Sequence, residues 1–142
     1  MLERKGKYNI AIVGATGIVG ESLLEILSSR NFPINEIYAV ASEKSRGFKA
    51  KYGDNLVTVQ ALSEFDFTGV DIAFFSAGAA ISREYVSKAA SHGCVVIDNT
   101  SEFRYKKNIP LIIPEVNSQD IIKYKETNII ANPNCSTIQM LV

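Results

Sequence analysis

The 142-residue chain has no tryptophan, one histidine, two cysteines and four prolines, and its fifteen basic side chains are balanced by fifteen acidic ones. Each scarcity excludes something. Cys94 and Cys135 stand far apart, with no CxxC pair and no Cys/His cluster, which fits neither a disulfide framework nor a zinc site, so no metal is expected. With no net charge and no Lys/Arg run beyond the opening ERKGK, there is no electrostatic footprint for nucleic acid. Apolar runs are broken by Gly, Asn or Pro well short of the roughly 18 residues of a membrane span. The IAIV that follows the basic lead MLERKGK is also shorter than the apolar region of about 7 to 15 residues in a secretory signal. A cytoplasmic chain with no membrane partner is expected. The closing STIQMLV opens an apolar helix with no Gly, Asn or Pro stop after it, which predicts that the chain is part of a longer protein.

What is present is 46% hydrophobic residues, enough for a core, at a length that predicts roughly one domain. Short apolar runs alternate with amphipathic stretches, and no repeat or low-complexity segment interrupts them. Strands are predicted at 8–13, 37–41, 71–75, 94–98 and 128–131, with short extended pieces at 48–52 and 56–60. Val19, Leu23, Ile26 and Leu27 recur at helical spacing over 18–30, and Ile81, Tyr85, Val86, Ala89 and Ala90 do so before His92-Gly93. Asn117 or Ser118 is expected to cap a short helix running through Tyr124. The pattern predicts an α/β fold: a Rossmann-like, doubly wound, mostly parallel sheet with helices on both faces.

The first strand runs directly into GATGIVG at 14–20. Glycines at a strand-to-helix turn let a pyrophosphate approach the backbone, and the free amides of the helix start then bind it. Gly14, Gly17 and Gly20 are so placed, with backbone contacts expected from Thr16, Gly17, Ile18 and Val19; the competing reading is a tight turn with no ligand. After the second strand the chain reads Ser42, Glu43, Lys44, Ser45, Arg46. Glu43 argues for NAD, whereas Ser42, Ser45 and Arg46 make a better cradle for the 2'-phosphate of NADP, which is the cofactor expected. A merely solvated loop is the alternative. Ser76, Ala77 and Gly78 end a strand on the same edge and are expected to line the nicotinamide half.

Cys135 follows NPN and precedes Ser136-Thr137 at a helix start, where partial positive charge favours a thiolate and free amides hold an oxyanion. A buried structural cysteine is the competing reading, and it suits Cys94, inside the apolar CVVID. His92 precedes a strand, at the sheet's amino edge, roughly 16 Å from the other edge, so it is read as a helix end rather than as the partner of Cys135.

GATGIVG, SAG, DNTSEFR, PEVN and NPNCST occur in this order over essentially the entire chain, and the combination resembles the aspartate-semialdehyde dehydrogenases. NPNCST with DNTSEFR is the specific part; N-acetyl-glutamyl-phosphate reductases, the alternative among phosphorylating acyl reductases, look different around their cysteine. The resemblance implies NADPH-dependent reduction of L-aspartyl 4-phosphate to L-aspartate 4-semialdehyde with release of phosphate, on the route to lysine, methionine and threonine. It implies that Cys135 forms the acyl-enzyme, that Arg104 binds phosphate with help from Asn99, and that Asn134 orients the carbonyl. It further implies that residues 1–132 are the NADP-binding domain and that 133–142 lead into a catalytic and dimerisation domain. That domain would carry the active-site His, a substrate-orienting Gln and a carboxylate-binding Arg in a homodimer or homotetramer. A different class remains open: a non-catalytic nucleotide-binding module in which Cys135 is only structural.

Overall fold

Strand β1 (Tyr8–Val13) lies inside a six-stranded sheet. Its alternation distributes the core: Ile10 and Ile12 face helix α1 (Ile18–Ser29), which brings Leu24 and Leu27. Ala11 and Val13 face the other way, toward helix α2 (Ala79–Ser91) with Val86 and Ala89. All six of these β1 and α1 aliphatic side chains are buried, and each of the large ones contributes about 1.5–3 kcal/mol of transfer free energy. The computed structural model describes residues 4–142; the start of the basic lead, residues 1–3, lies outside the described residues.

Strand β2 (Ile34–Ala41) begins earlier than the expected 37, because Ile34 and Glu36 pair with Tyr8 and Asn9. The polar, exposed Asn35 and Glu36 concealed that extension. The expected piece at 56–60 divides in two. Strands β3 (Lys49–Tyr52) and β4 (Asn55–Thr58) form a separate antiparallel hairpin, whereas β5 (Gln60–Ala61) pairs parallel with Val40 and Ala41. The division falls at Val59, whose N–H donates to the Phe48 carbonyl at 2.8 Å.

Strands β6 (Ile72–Phe75), β7 (Val95–Asp98) and β8 (Ile129–Ala131) complete the main sheet in the order β5-β2-β1-β6-β7-β8, every neighbouring pair parallel. Counted within this sheet the order is that of the doubly wound dinucleotide-binding fold, as the alternation predicted, with the topological switch beside β1.

Helix α3 (Pro114–Asn117) is a single turn, and the expected helix through Tyr124 is instead a 3-10 run, Ser118–Glu126. Asn117 does not cap it. Its Oδ1 accepts from the Ile113 N–H at 2.9 Å and its Nδ2 donates to the Leu111 carbonyl at 3.0 Å, so the side chain points back along the chain. Helix α4 (Cys135–Leu141) closes the described chain. No helix among the described residues is long and apolar enough to cross a membrane.

Candidate cofactor and thiol site

The turns that follow β1, β2, β6, β7 and β8 share one rim, because parallel strands all end on the same side. The ladder runs one residue past the strand ends. Ser76 donates to the Val13 carbonyl at 2.9 Å, Asn99 to Phe75 at 2.9 Å, and Asn132 to Asp98 at 2.8 Å. From β1 to β8 is three strand spacings, roughly 14 Å.

Three glycines shape the β1 turn in different ways. Gly14 has φ +94°, and a Cβ there would sit 2.8 Å from the Ser76 carbonyl oxygen. A Cβ on Gly20, which is buried in α1, would be driven into the backbone of Gly14 and Ala15. These two positions let helix and strand approach. At Gly17 a Cβ would meet only the Gly14 carbonyl oxygen, at 3.4 Å, and the residue is exposed, so its bareness serves whatever comes from outside. Gly17 is also the N-cap of α1, with no side-chain cap. The first-turn amides of Ile18 and Val19 are thus exposed donors, as a bound pyrophosphate requires.

Gly14, Thr16, Gly17, Ser42, Ser76 and Ala77 line a cleft of about 540 Å³. Ile18, Val19, Ser45, Arg46 and Gly78 lie outside that lining. Ser45 is nevertheless tied to the loop, its hydroxyl 3.5 Å from that of Thr16, and both residues open onto a second cavity of about 930 Å³ between α1 and the β3-β4 hairpin. The structure commits Arg46 elsewhere: it bonds Glu43 at 3.0 Å and Glu64 at 2.7 Å, and these carboxylates hold its guanidinium above the usual range. The same pairing occupies Glu43. Lys44, which sequence reasoning passed over, is exposed and has no carboxylate partner among the described residues.

At the other end of the rim, Cys135 is exposed and is the first residue of α4. Asn134 caps this helix, its Oδ1 accepting from the Thr137 N–H at 2.8 Å, so its amide nitrogen is what remains for a ligand. Cys94 contrasts with Cys135. It is buried just before β7, and burial, reinforced by the charge of Asp71, pushes its thiol up to about 12. His92 ends α2 with Nδ1 2.8 Å from the Lys88 carbonyl oxygen, at the amino edge of the sheet and away from the rim.

Arg104 is half-buried and spans two strand ends. Its Nε donates to the Asn132 carbonyl at 2.9 Å and an Nη2 hydrogen to the Asn99 carbonyl at 3.0 Å, leaving Nη1 uncommitted. Its loop is pinned from beneath by Asp98, a fully buried carboxylate that accepts from the Ser82 and Thr100 hydroxyls, each at 2.8 Å. Glu102 anchors the loop to α2 through Arg83 at 2.7 Å. Asn132 was also missed at the sequence level, although its signal, an Asn immediately after a strand and before Pro, was available. Among the described residues no group of three or more His, Cys, Asp or Glu side chains gathers as metal ligands would.

The family model for the semialdehyde dehydrogenase NAD binding domain matches residues 9–124, which include the glycine turn and Arg104. The chain belongs to this family. It is 53% identical over 136 residues to aspartate-semialdehyde dehydrogenase 2 of Vibrio cholerae, covering 96% of this chain and 40% of that protein. It is 54% identical to the aspartate-semialdehyde dehydrogenase of Legionella pneumophila, over 94% of this chain and 39% of the relative. Among solved structures, aspartate semialdehyde dehydrogenase II of Vibrio cholerae, complexed with ASA, superposes with a TM-score of 0.92 at 52% identity, over 95% of this chain and 44% of that one. The Candida albicans aspartate semialdehyde dehydrogenase with NADP superposes at 0.74 and 27% identity, over 93% of this chain and 44% of that one. The chain thus spans about 40% of the length of the curated relatives it matches.

Proposed function

We propose that this chain is the cofactor-binding portion of an NADP-dependent aspartate-semialdehyde dehydrogenase, with residues 1–132 holding the cofactor and 133–142 leading into the catalytic domain. The observation that carries this reading is the shared rim, on which the bare glycine turn, the Arg104 cluster and the exposed Cys135 thiol follow parallel strands of one sheet and lie on the same side of it. The relatives' names support it.

The amides of Thr16, Ile18 and Val19 bind the pyrophosphate, which bare Gly17 lets approach although its own N–H is held by the Gly14 carbonyl at 3.0 Å, and Ser76, Ala77 and Gly78 line the nicotinamide half. With Glu43 neutralised by Arg46, the loop after β2 offers a 2'-phosphate the hydroxyls of Ser42 and Ser45 and the free ammonium of Lys44, which favours NADP over NAD. When bound, the reduced cofactor supplies the hydride. The Cys135 thiolate attacks the acyl carbon of aspartyl 4-phosphate; the C–S bond forms and the C–O bond to phosphate breaks. Arg104 Nη1 and the Asn99 amide take the leaving phosphate dianion, while the Asn134 amide nitrogen orients the carbonyl. Reduction of the thioester gives a tetrahedral thiohemiacetal on Cys135, whose C–S bond breaks to release aldehyde and regenerate thiolate. The protein functions in the cytoplasm as a homodimer or homotetramer.

The test is turnover by the protein at its full encoded length: phosphate-dependent reduction of NADP with L-aspartate 4-semialdehyde. Preference for an N-acetylated glutamate semialdehyde would replace this reading with the related reductase. Within the cofactor assignment, Lys44→Ala is expected to weaken NADP binding about tenfold and to leave NAD binding unchanged, as loss of one charge-assisted contact to the 2'-phosphate requires. Arg46→Ala is expected to have a smaller and indirect effect on NADP, because its guanidinium is committed to two carboxylates and its loss removes no phosphate contact but uncovers the charge of Glu43 at the exposed edge of the loop. Titration of both variants with NADP and NAD, followed by cofactor fluorescence, checks the order.

A further inference from the structure

Asn132 is held at three atoms. Its N–H donates to the Asp98 carbonyl at 2.8 Å, its carbonyl accepts from Arg104 Nε at 2.9 Å, and its Nδ2 donates to Asn99 Oδ1 at 2.7 Å. The same Nδ2 lies 3.3 Å from the Pro133 carbonyl oxygen. A main-chain carbonyl can only accept, so the atom facing it is the amide nitrogen, and the orientation of the Asn132 carboxamide follows. That orientation dictates the next one: the atom of Asn99 facing a donor must be its oxygen. With its oxygen turned to Asn132, Asn99 has its NH₂ group, two donors, free on the other side of the carboxamide, while its main-chain carbonyl holds Arg104 Nη2.

We propose that Asn132 is a positioning residue for phosphate. It turns the oxygen of Asn99 toward itself, so that Asn99 presents its NH₂ donors to the anion, and with its own carbonyl it holds the Arg104 fork in place. Without it, the Asn99 carboxamide can rotate and offer its oxygen to the phosphate, which costs a hydrogen bond and adds a repulsion. The inference rests on the proposed reading of the site as an acyl-phosphate reductase. Truncation tests the side-chain part of this role alone, since both main-chain bonds survive it.

The experiment is a double-mutant cycle with Asn132→Ala and Asn99→Ala in the protein at full encoded length. Phosphate-dependent NADP reduction with L-aspartate 4-semialdehyde is assayed at varied inorganic phosphate. Asn132→Ala is expected to raise the KM for phosphate about tenfold, the loss of one charge-assisted hydrogen bond, with the KM for NADP within about twofold of wild type. In the Asn99→Ala background the same substitution is expected to add less than about twofold, because its target is already gone. A phosphate KM unchanged in Asn132→Ala, or effects that multiply independently, overturns the positioning role. An inactive wild-type protein overturns the proposed function instead. If the alanine variant does not fold, Asn132→Ser serves: its hydroxyl is one bond too short to reach Asn99 Oδ1, and the same KM split is expected.

Discussion

Replacing Cys135 by alanine is expected to lower phosphate-dependent turnover by about 10⁴-fold or more while leaving NADP binding intact, because the nucleophile is lost and nothing near the glycine turn changes. The other thiol cannot substitute. Cys94 is buried before β7, and its thiol, pushed up to about 12, stays protonated and enclosed wherever the protein is assayed. Iodoacetamide at about pH 8 is therefore expected to label Cys135 in the native protein and Cys94 only after unfolding, as peptide mapping would read out. Protection of Cys135 by the substrate aldehyde would place it in the site. Retained activity in Cys135→Ala would mean that Cys135 is structural and that another group carries the acyl intermediate, whereas NADP binding without turnover in the wild-type protein would make the chain a nucleotide-binding module.

The second large effect separates two glycines three residues apart in one turn. Gly20→Ala forces a methyl group into the backbone of Gly14 and Ala15, where no flexible side chain can give way. Overpacking against main chain is expected to cost roughly 3 kcal/mol or more, lowering Tm by about 10 °C, and cofactor binding is lost with the distorted turn. Gly17→Ala meets only an ordinary contact at 3.4 Å, so Tm is expected to fall by no more than about 3 °C, the cost of alanine at a helix N-cap. The new methyl group instead occupies the surface at which the pyrophosphate arrives, and NADP affinity is expected to fall about 5- to 150-fold, the equivalent of roughly 1–3 kcal/mol of overpacking. Calorimetry with and without NADP distinguishes the two. Equal loss of stability in both variants would remove the distinction between a packing glycine and a ligand-facing one.

Much of this organisation was legible in the chain because it is local. Strand β1 was found at its observed bounds, since its apolar run is broken only by Asn9 and Ile10 to Val13 are buried on both faces. The burial of Cys94 and the helix-end position of His92 followed from their neighbours in sequence. The start of β2 was missed because pairing, not polarity, extends it to Ile34. The helix after Asn117 was misjudged because a good capping residue bonds whichever amides the chain path brings to it, here those of 111–113.

The sequence by itself determined the layering of the fold, the edge on which the turns collect and the identity of the exposed nucleophile candidate, because periodicity and the direction of parallel strands settle them. Only the tertiary structure decided which polar groups remain free to act. Arg46 is occupied by Glu43 and Glu64, the latter brought from another turn, and Lys44 is left available. Two donors of Arg104 are committed to main-chain carbonyls on separate strand ends, and Asn132 selects which half of the Asn99 amide faces outward. A hydrogen-bonding group has a fixed number of donors and acceptors, and what it offers a ligand is what its distant neighbours in sequence have not already taken.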